Sequence, residues 1–302
     1  MSNTEFSNLP GASDHSSDSS ESDFMKFLRL MNPDSAPDIE DEDDDDGTEE
    51  DGMDADDYHN AAVDHARHNK YKRAVQTCIK GLGSFPQNVD LLADTIKYSC
   101  HAGDLKTAAE YYDRLVKIPR NRWNWRAYTF SFDYLIQDAG ANEKECRDII
   151  ADYKRYLPHE EKAFMSQSEL EGALGNNESS MNVLVEALNQ LSNAPQCALR
   201  LADMQMERGM YGDVIKTVDY GLSASCETQP SINIPYLLLI RTLAEDALLH
   251  QHKAAGEVVT AEEVNSLLKE YATLNDEFPE MIRYGRVIKI REKCLKFLQL
   301  SM

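Results

Sequence analysis

Long apolar runs are missing from this chain of 302 residues, and none approaches the roughly 18 apolar residues of a membrane-spanning helix. Residues 1–20 are polar, with neither a basic start nor an apolar centre, so no secretory signal is expected. Positive charge is scarce. Against 53 Asp and Glu stand 31 Lys and Arg, a formal net charge of -22, which argues against wrapping nucleic acid because phosphate recognition needs a concentrated basic surface. Glycine-rich phosphate loops, paired metal-binding histidines and a strand-turn-helix nucleophile are also absent from the sequence pattern. The cysteines, Cys78, Cys100, Cys146, Cys197, Cys226 and Cys294, lie too far apart for close metal-ligand spacing, and several fall on apolar stripes. They read as buried small hydrophobes in a reducing compartment. The cytoplasm is the expected location, with the nucleus open for a eukaryotic host. His65 and His68 share a helix face with His59 nearby, but nothing fixes a clear third ligand beside them, so neither metal nor cofactor is expected. Carboxylates along helical faces read as solvent faces, and no catalytic residue is expected.

Present instead is a repeat. Tyr58, Ala61, Ala62 and His65 fall at helical spacing, His68, Asn69 and Lys70 interrupt them, and Tyr71, Ala74, Val75, Cys78, Ile79 and Leu82 form a second stripe that ends around Gly81, Gly83 and Pro86. The plan returns 34 residues later. Leu91, Leu92, Thr95, Ile96 and Ser99 precede the turn His101-Ala102-Gly103-Asp104, and Leu105, Ala108, Ala109, Tyr112, Leu115 and Val116 follow it. Small residues inside the second helices let neighbouring backbones approach closely. The period predicts stacked helical hairpins, with 55–122 as the first two.

The segment Gly103-Asp104-Leu105-Lys106-Thr107-Ala108-Ala109-Glu110-Tyr111-Tyr112 resembles the turn and second helix of the tetratricopeptide repeat family. The chain departs from that pattern at Tyr58, where tryptophan is usual, and at Gly81 and Leu115, where a late alanine is usual. These departures are expected to weaken packing without changing the fold. The resemblance implies an all-α, right-handed superhelical solenoid whose first helices line a concave groove for a peptide or helix of a protein partner. Some members of that family clamp an acidic C-terminus with lysines and asparagines. Here His59, Val63 and Asp94 occupy the matching positions, so that clamp is not carried over.

Further hairpins are expected after residue 122, for five or six over residues 55–279. The third has an aromatic first helix (Trp123, Trp125, Tyr128, Phe130, Phe132, Tyr134) and a second helix starting near Asn142. Gly175 and Gly209 restore the 34-residue spacing, Val214 replaces a usual small residue, and Thr260 with Glu263 reads as a capping box before a helix that stops short of Pro279. Residues 280–302 alternate apolar and basic groups and suit a helix covering the end of the stack, although a basic partner surface also fits.

Residues 1–54 form an acidic arm that cannot bury enough surface to order itself. Residues 1–57 hold 20 Asp and Glu against Lys26 and Arg29 alone. Within the arm, 24–31 is an apolar interruption centred on Phe24, Phe27 and Leu28. It can be read as a partner-binding peptide, as a segment folding back into the groove, or as chance. The acidic block is a solvated spacer or a docking tail for a basic protein.

The functional expectation is therefore an interaction scaffold for a protein or peptide, with Tyr58, Asn69, Trp125, Arg126 and Tyr128 near the binding surface, no membrane contact, and direct nucleic-acid binding disfavoured. The alternative is a regulatory subunit of an enzyme or nucleic-acid-associated complex whose arm is autoinhibitory or docks a basic partner.

Overall fold

The computed structural model describes residues 52–225 and 234–278 together with 289, 291–293, 295 and 296. These residues form twelve α-helices, arranged as six successive hairpins. They are α1 (Ala55–Arg67) with α2 (Tyr71–Ser84), α3 (Val89–His101) with α4 (Leu105–Leu115), and α5 (Trp125–Leu135) with α6 (Ala139–Tyr156). There follow α7 (Glu161–Ala173) with α8 (Asn177–Gln190), α9 (Pro195–Glu207) with α10 (Tyr211–Ser225), and α11 (Ile234–Ala254) with α12 (Ala261–Glu277). No strand occurs among the described residues. The arm and its motif residues Phe24, Phe27 and Leu28 lie outside them, as does most of 280–302.

Local chemistry sets the helix ends. Asp54 accepts the N–H groups of Asp56 and Asp57, while Asp57 accepts the N–H of Asp54, a reciprocal cap that starts α1. Asn88, Asp104, Asn124 and Asp138 cap later helices with their side chains. Thr260 and Glu263 form the capping box at α12 that their spacing predicts. Between paired helices the chain reverses through one left-handed residue, at Asn69 (φ 60°), Gly103 (72°), Gly175 (80°) and Gly209 (68°). Asparagine and glycine are the residues that tolerate this backbone most readily.

Each hairpin packs on the next, and the first helices α1, α3, α5, α7, α9 and α11 approach one another in order. Second helices make no comparable series among the described residues. A stack whose first helices crowd together while its second helices spread must curve with the first helices inward. The result is an all-helical hairpin solenoid resembling tetratricopeptide repeat proteins.

The packing corrects several sequence expectations. Leu105 is half exposed, and Ile79 and Val116 lie near the surface rather than in the apolar stripe. Helix α5 begins at Trp125, so Trp123 precedes it, and α6 begins at Ala139, three residues ahead of the expected Asn142. Gly81 does not mark weaker packing. A Cβ there would lie 2.8 Å from Tyr58 Cγ and 2.9 Å from Leu91 Cδ1, so glycine lets the Tyr58 ring and α3 close on the α2 backbone. Gly221 repeats the arrangement in α10, where a Cβ would come within 2.9 Å of Ala198. Cys78, Cys146 and Cys197 are buried free thiols, while Cys226 and Cys294 lie outside the described residues.

Candidate functional site

The polar and aromatic residues of interest meet on the inward edge, where α1, α3, α5 and α7 run side by side. From α1, His59 Nδ1 donates to Asp94 Oδ2 of α3 at 2.5 Å. On the other side of the ring, Arg126 Nη1 of α5 lies 2.9 Å from His59 Nε2. A guanidinium only donates, so the ring accepts there and its proton sits on Nδ1, facing Asp94. Arg126 also lies 3.5 Å from Asp90 Oδ1, and Asn124 Nδ2 donates to that oxygen at 2.7 Å. Three hairpins are thus joined through one histidine. Asp94 is buried, and pairing is what makes a buried carboxylate tolerable.

Trp125 stands beside this junction, half-buried against the core. Its ring meets Phe130 edge-on with centroids 6.2 Å apart, and the Arg126 guanidinium lies 5.4 Å from it. From α7, Lys162 Nζ sits 3.4 Å from the indole centroid, and from α3, Lys97 Nζ lies 5.3 Å from the Phe130 centroid. A ring face carries partial negative charge and attracts a cation. Lys162 makes no hydrogen bond or ion pair among the described residues. Burial pulls its pKa below the ordinary lysine value, while Glu160, Asp133 and Glu161 oppose that shift from a distance. The corner therefore offers a partly dehydrated cation on the face of the half-buried Trp125 ring, with Phe130 buried beneath, suited to an anionic group next to an apolar one.

The five body residues expected near a binding surface separate. Trp125 and Arg126 are brought together on the inner face. Tyr58 is buried against Gly81 and Leu91, so it offers no surface. Tyr128 is fully buried too, with its hydroxyl donating to Arg120 O at 2.7 Å and its ring stacked on Tyr153 at 4.8 Å. Asn69 forms the α1–α2 turn, where its Oδ1 accepts from Tyr71 Oη at 3.3 Å. Sequence reasoning missed Lys97 and Lys162, and dismissed His59 and Asp94 for failing the clamp pattern. The signal for them lies in the spacing across hairpins. His59 to Asp94 is 35 residues and Asp90 to Arg126 is 36, one repeat plus a small offset.

A second concavity, of about 310 Å³, lies between α11 and α12 and is lined by Leu238, Arg241, Thr242, Glu270 and Phe278 among others. Glu245 beside it has its pKa pushed up to about 7, first by burial and then by the neighbouring Glu270 carboxylate, while Arg241 opposes the rise. Arg241 Nη2 holds Glu245 at 3.1 Å, and Arg241 Nε faces Asp219 of α10 at 3.2 Å. This network ties α10, α11 and α12 together.

Among the described residues no group of three or more His, Cys, Asp or Glu side chains could hold a metal ion, and no helix is long and apolar enough to cross a membrane.

No family model matches the chain, and no curated protein matches it. Among solved structures it is similar to a thermophilic TPR protein of Thermus thermophilus, at 17% identity over 65% of this chain and 99% of that one, with a TM-score of 0.47. It is also similar to PilF of Pseudomonas aeruginosa, at 14% identity over 77% and 96% of the two chains with a TM-score of 0.49. A tetratricopeptide repeat protein of Parabacteroides merdae shares 15% identity over 80% and 84% with a TM-score of 0.48.

Proposed function

We propose that this chain is a docking scaffold whose inner face, lined by successive first helices, holds a peptide or helix of a protein partner and performs no chemistry on it. One observation carries the reading: Trp125, Arg126, Lys97 and Lys162 converge from three helices on one inward corner, with an aromatic surface beside a cation that lacks an ion-pair partner. Aromatic and arginine side chains supply much of the binding energy at protein interfaces. The free thiols at Cys78, Cys100, Cys146 and Cys197 fit a reducing, cytoplasmic setting.

The test selects peptides from a displayed random library against the full chain, then measures the affinity of the selected peptide. Replacing Trp125 and Arg126 together by alanine should retain the helical circular dichroism signal and weaken binding by about tenfold or more. Unchanged affinity in that double variant overturns the reading.

A further inference from the structure

The corner at Trp125 and Lys162 asks for an occupant of a particular kind. Its ammonium lies 3.4 Å from an indole centroid without an ion-pair partner, and a second ring and a second lysine stand beside it. The surroundings are not uniformly positive, however. Asp90 is partly exposed on α3, and Asp133 is exposed on α5. A purely acidic strand would meet repulsion along much of this face. A segment of mixed sign, with an acid next to a large apolar residue and bases further on, would not.

The chain carries such a segment. Residues 21–31 read Glu-Ser-Asp-Phe-Met-Lys-Phe-Leu-Arg-Leu-Met, with Glu21 and Asp23 before Phe24 and with Lys26 and Arg29 following. The block from 38 to 57 has acids but no large side chain to place on a ring apart from Ile39 and Met53. Length also permits the contact. From α1 to α7 the inner face crosses three helix-to-helix steps of about 8–10 Å, roughly 30 Å in all. Between Met31 and Ala55 lie 23 residues, and any chain of that length spans roughly 25 Å on a random-coil reckoning and at most about 75 Å when fully extended. A tether matched to its span gives an effective concentration on the order of millimolar, so a weak contact becomes well populated.

We propose that residues 21–31 of this same chain occupy the inner face, with a carboxylate of Glu21 or Asp23 on Lys162 and Phe24 against the half-buried Trp125 ring, so that a partner must displace them. This rests on the docking reading above and adds regulation to it. Burial lowers the lysine's pKa, and an arriving carboxylate would offset that cost.

A zero-length carbodiimide crosslink in the full chain, mapped by mass spectrometry, tests the contact directly. Lys162 should be joined to Glu21 or Asp23 within one chain, at a yield unaffected by tenfold dilution and strongly reduced in about 0.5 M salt. Replacing Phe24 and Phe27 together by alanine should abolish the product and tighten binding of the library-selected peptide by about fivefold or more, since the competing segment no longer occupies the face. Crosslinks from Lys162 only to body carboxylates such as Glu160 and Asp133 overturn the proposal, as does a yield that falls on dilution, which assigns the segment to a second copy. Failure here leaves the docking reading intact if the Trp125 and Arg126 variant still loses the selected peptide. That variant binding normally would defeat the docking reading whatever the crosslinks show.

Discussion

From Tyr58 to Leu170 the buried side chains form one continuous cluster spanning the first three hairpins and the start of the fourth, whereas the rest of the body divides into three smaller clusters. Rings account for the difference. Tyr71 of α2 stacks on His101 of α3 at 5.0 Å, Tyr112 of α4 meets Tyr134 of α5 at 5.4 Å, and Tyr128 lies between Trp123 and Tyr153. The first two pairs join adjacent hairpins and the third set ties α5 to α6, whereas the boundary between α10 and α11 is crossed by shorter aliphatic side chains such as Val218 and Leu237. In the later clusters Phe164 and Tyr271 are the buried rings, and the cluster joining α9, α10 and α11 has none at its centre. Stability in stacked repeats is roughly a sum of each unit and its contacts with its neighbours. Wider side chains at the boundaries should therefore make the first half open as one unit and the second half open piecemeal.

Removing the central ring should break this contrast most severely. Tyr128→Ala vacates a fully buried site stacked on Tyr153, and a cost of about 3–5 kcal/mol is expected. Amide hydrogen exchange should then show α3 to α6 opening as readily as α9 to α12. Equal protection of the two halves in the native chain would already refute the contrast.

A smaller effect is expected at Gly81. Gly81→Ala drives a methyl to within 2.8 Å of the Tyr58 ring and should cost about 2–3 kcal/mol by denaturant unfolding. In a chain that also carries Tyr58→Ala, the added cost of the methyl should largely vanish, because the colliding ring has gone. Purely additive losses would mean that the close approach does not limit packing there.

Smallest, and confined to the second half, is a pH effect at Glu161. Its carboxylate accepts from the backbone N–H groups of Gln196 and Cys197 at 3.0 and 3.3 Å, and burial pushes its pKa from 4.5 up to about 7. A folded pKa above the unfolded one means that the folded protein binds the proton more tightly between those values. Stability from this group is therefore greatest on the acid side and declines as pH rises towards 7. Glu161→Gln keeps an acceptor for both donors without a charge to bury. It should flatten the profile between pH 5 and 8 and gain on the order of 1–2 kcal/mol at pH 8. A profile unchanged by the substitution would show that Glu161 is not the titrating group.

The hairpin plan was legible because it rests on local signals: apolar spacing, a left-handed residue at turns such as those of Gly103, Gly175 and Gly209, and caps such as Thr260 with Glu263. Trp125 and Arg126 were legible as an aromatic beside an arginine. The rest was not, for physical reasons. Tyr58 and Tyr128 carry both a ring and a hydroxyl, and sequence does not say whether that hydroxyl meets a partner or a backbone carbonyl such as that of Arg120. Gly81 reads as a loss when taken alone and as a fit only once Tyr58 and Leu91 are seen against it. Lys162 is one of many surface-type lysines until the stacking of α5 on α7 brings it over an indole.

The carboxylate of Glu161 has a consequence for how the body is assembled. Helix α9 has no side-chain cap of its own at Ala194, and the two amides at its start are satisfied by a residue of the preceding hairpin. The fifth unit thus completes its leading end against the fourth, and the fourth in turn completes its trailing end against the fifth, where Tyr220 Oη of α10 donates to Leu191 O just past α8 at 2.7 Å. With each unit supplying a partner that the other lacks, neither of these two can separate without leaving backbone groups unsatisfied on both, so this joint should close and open in a single concerted step.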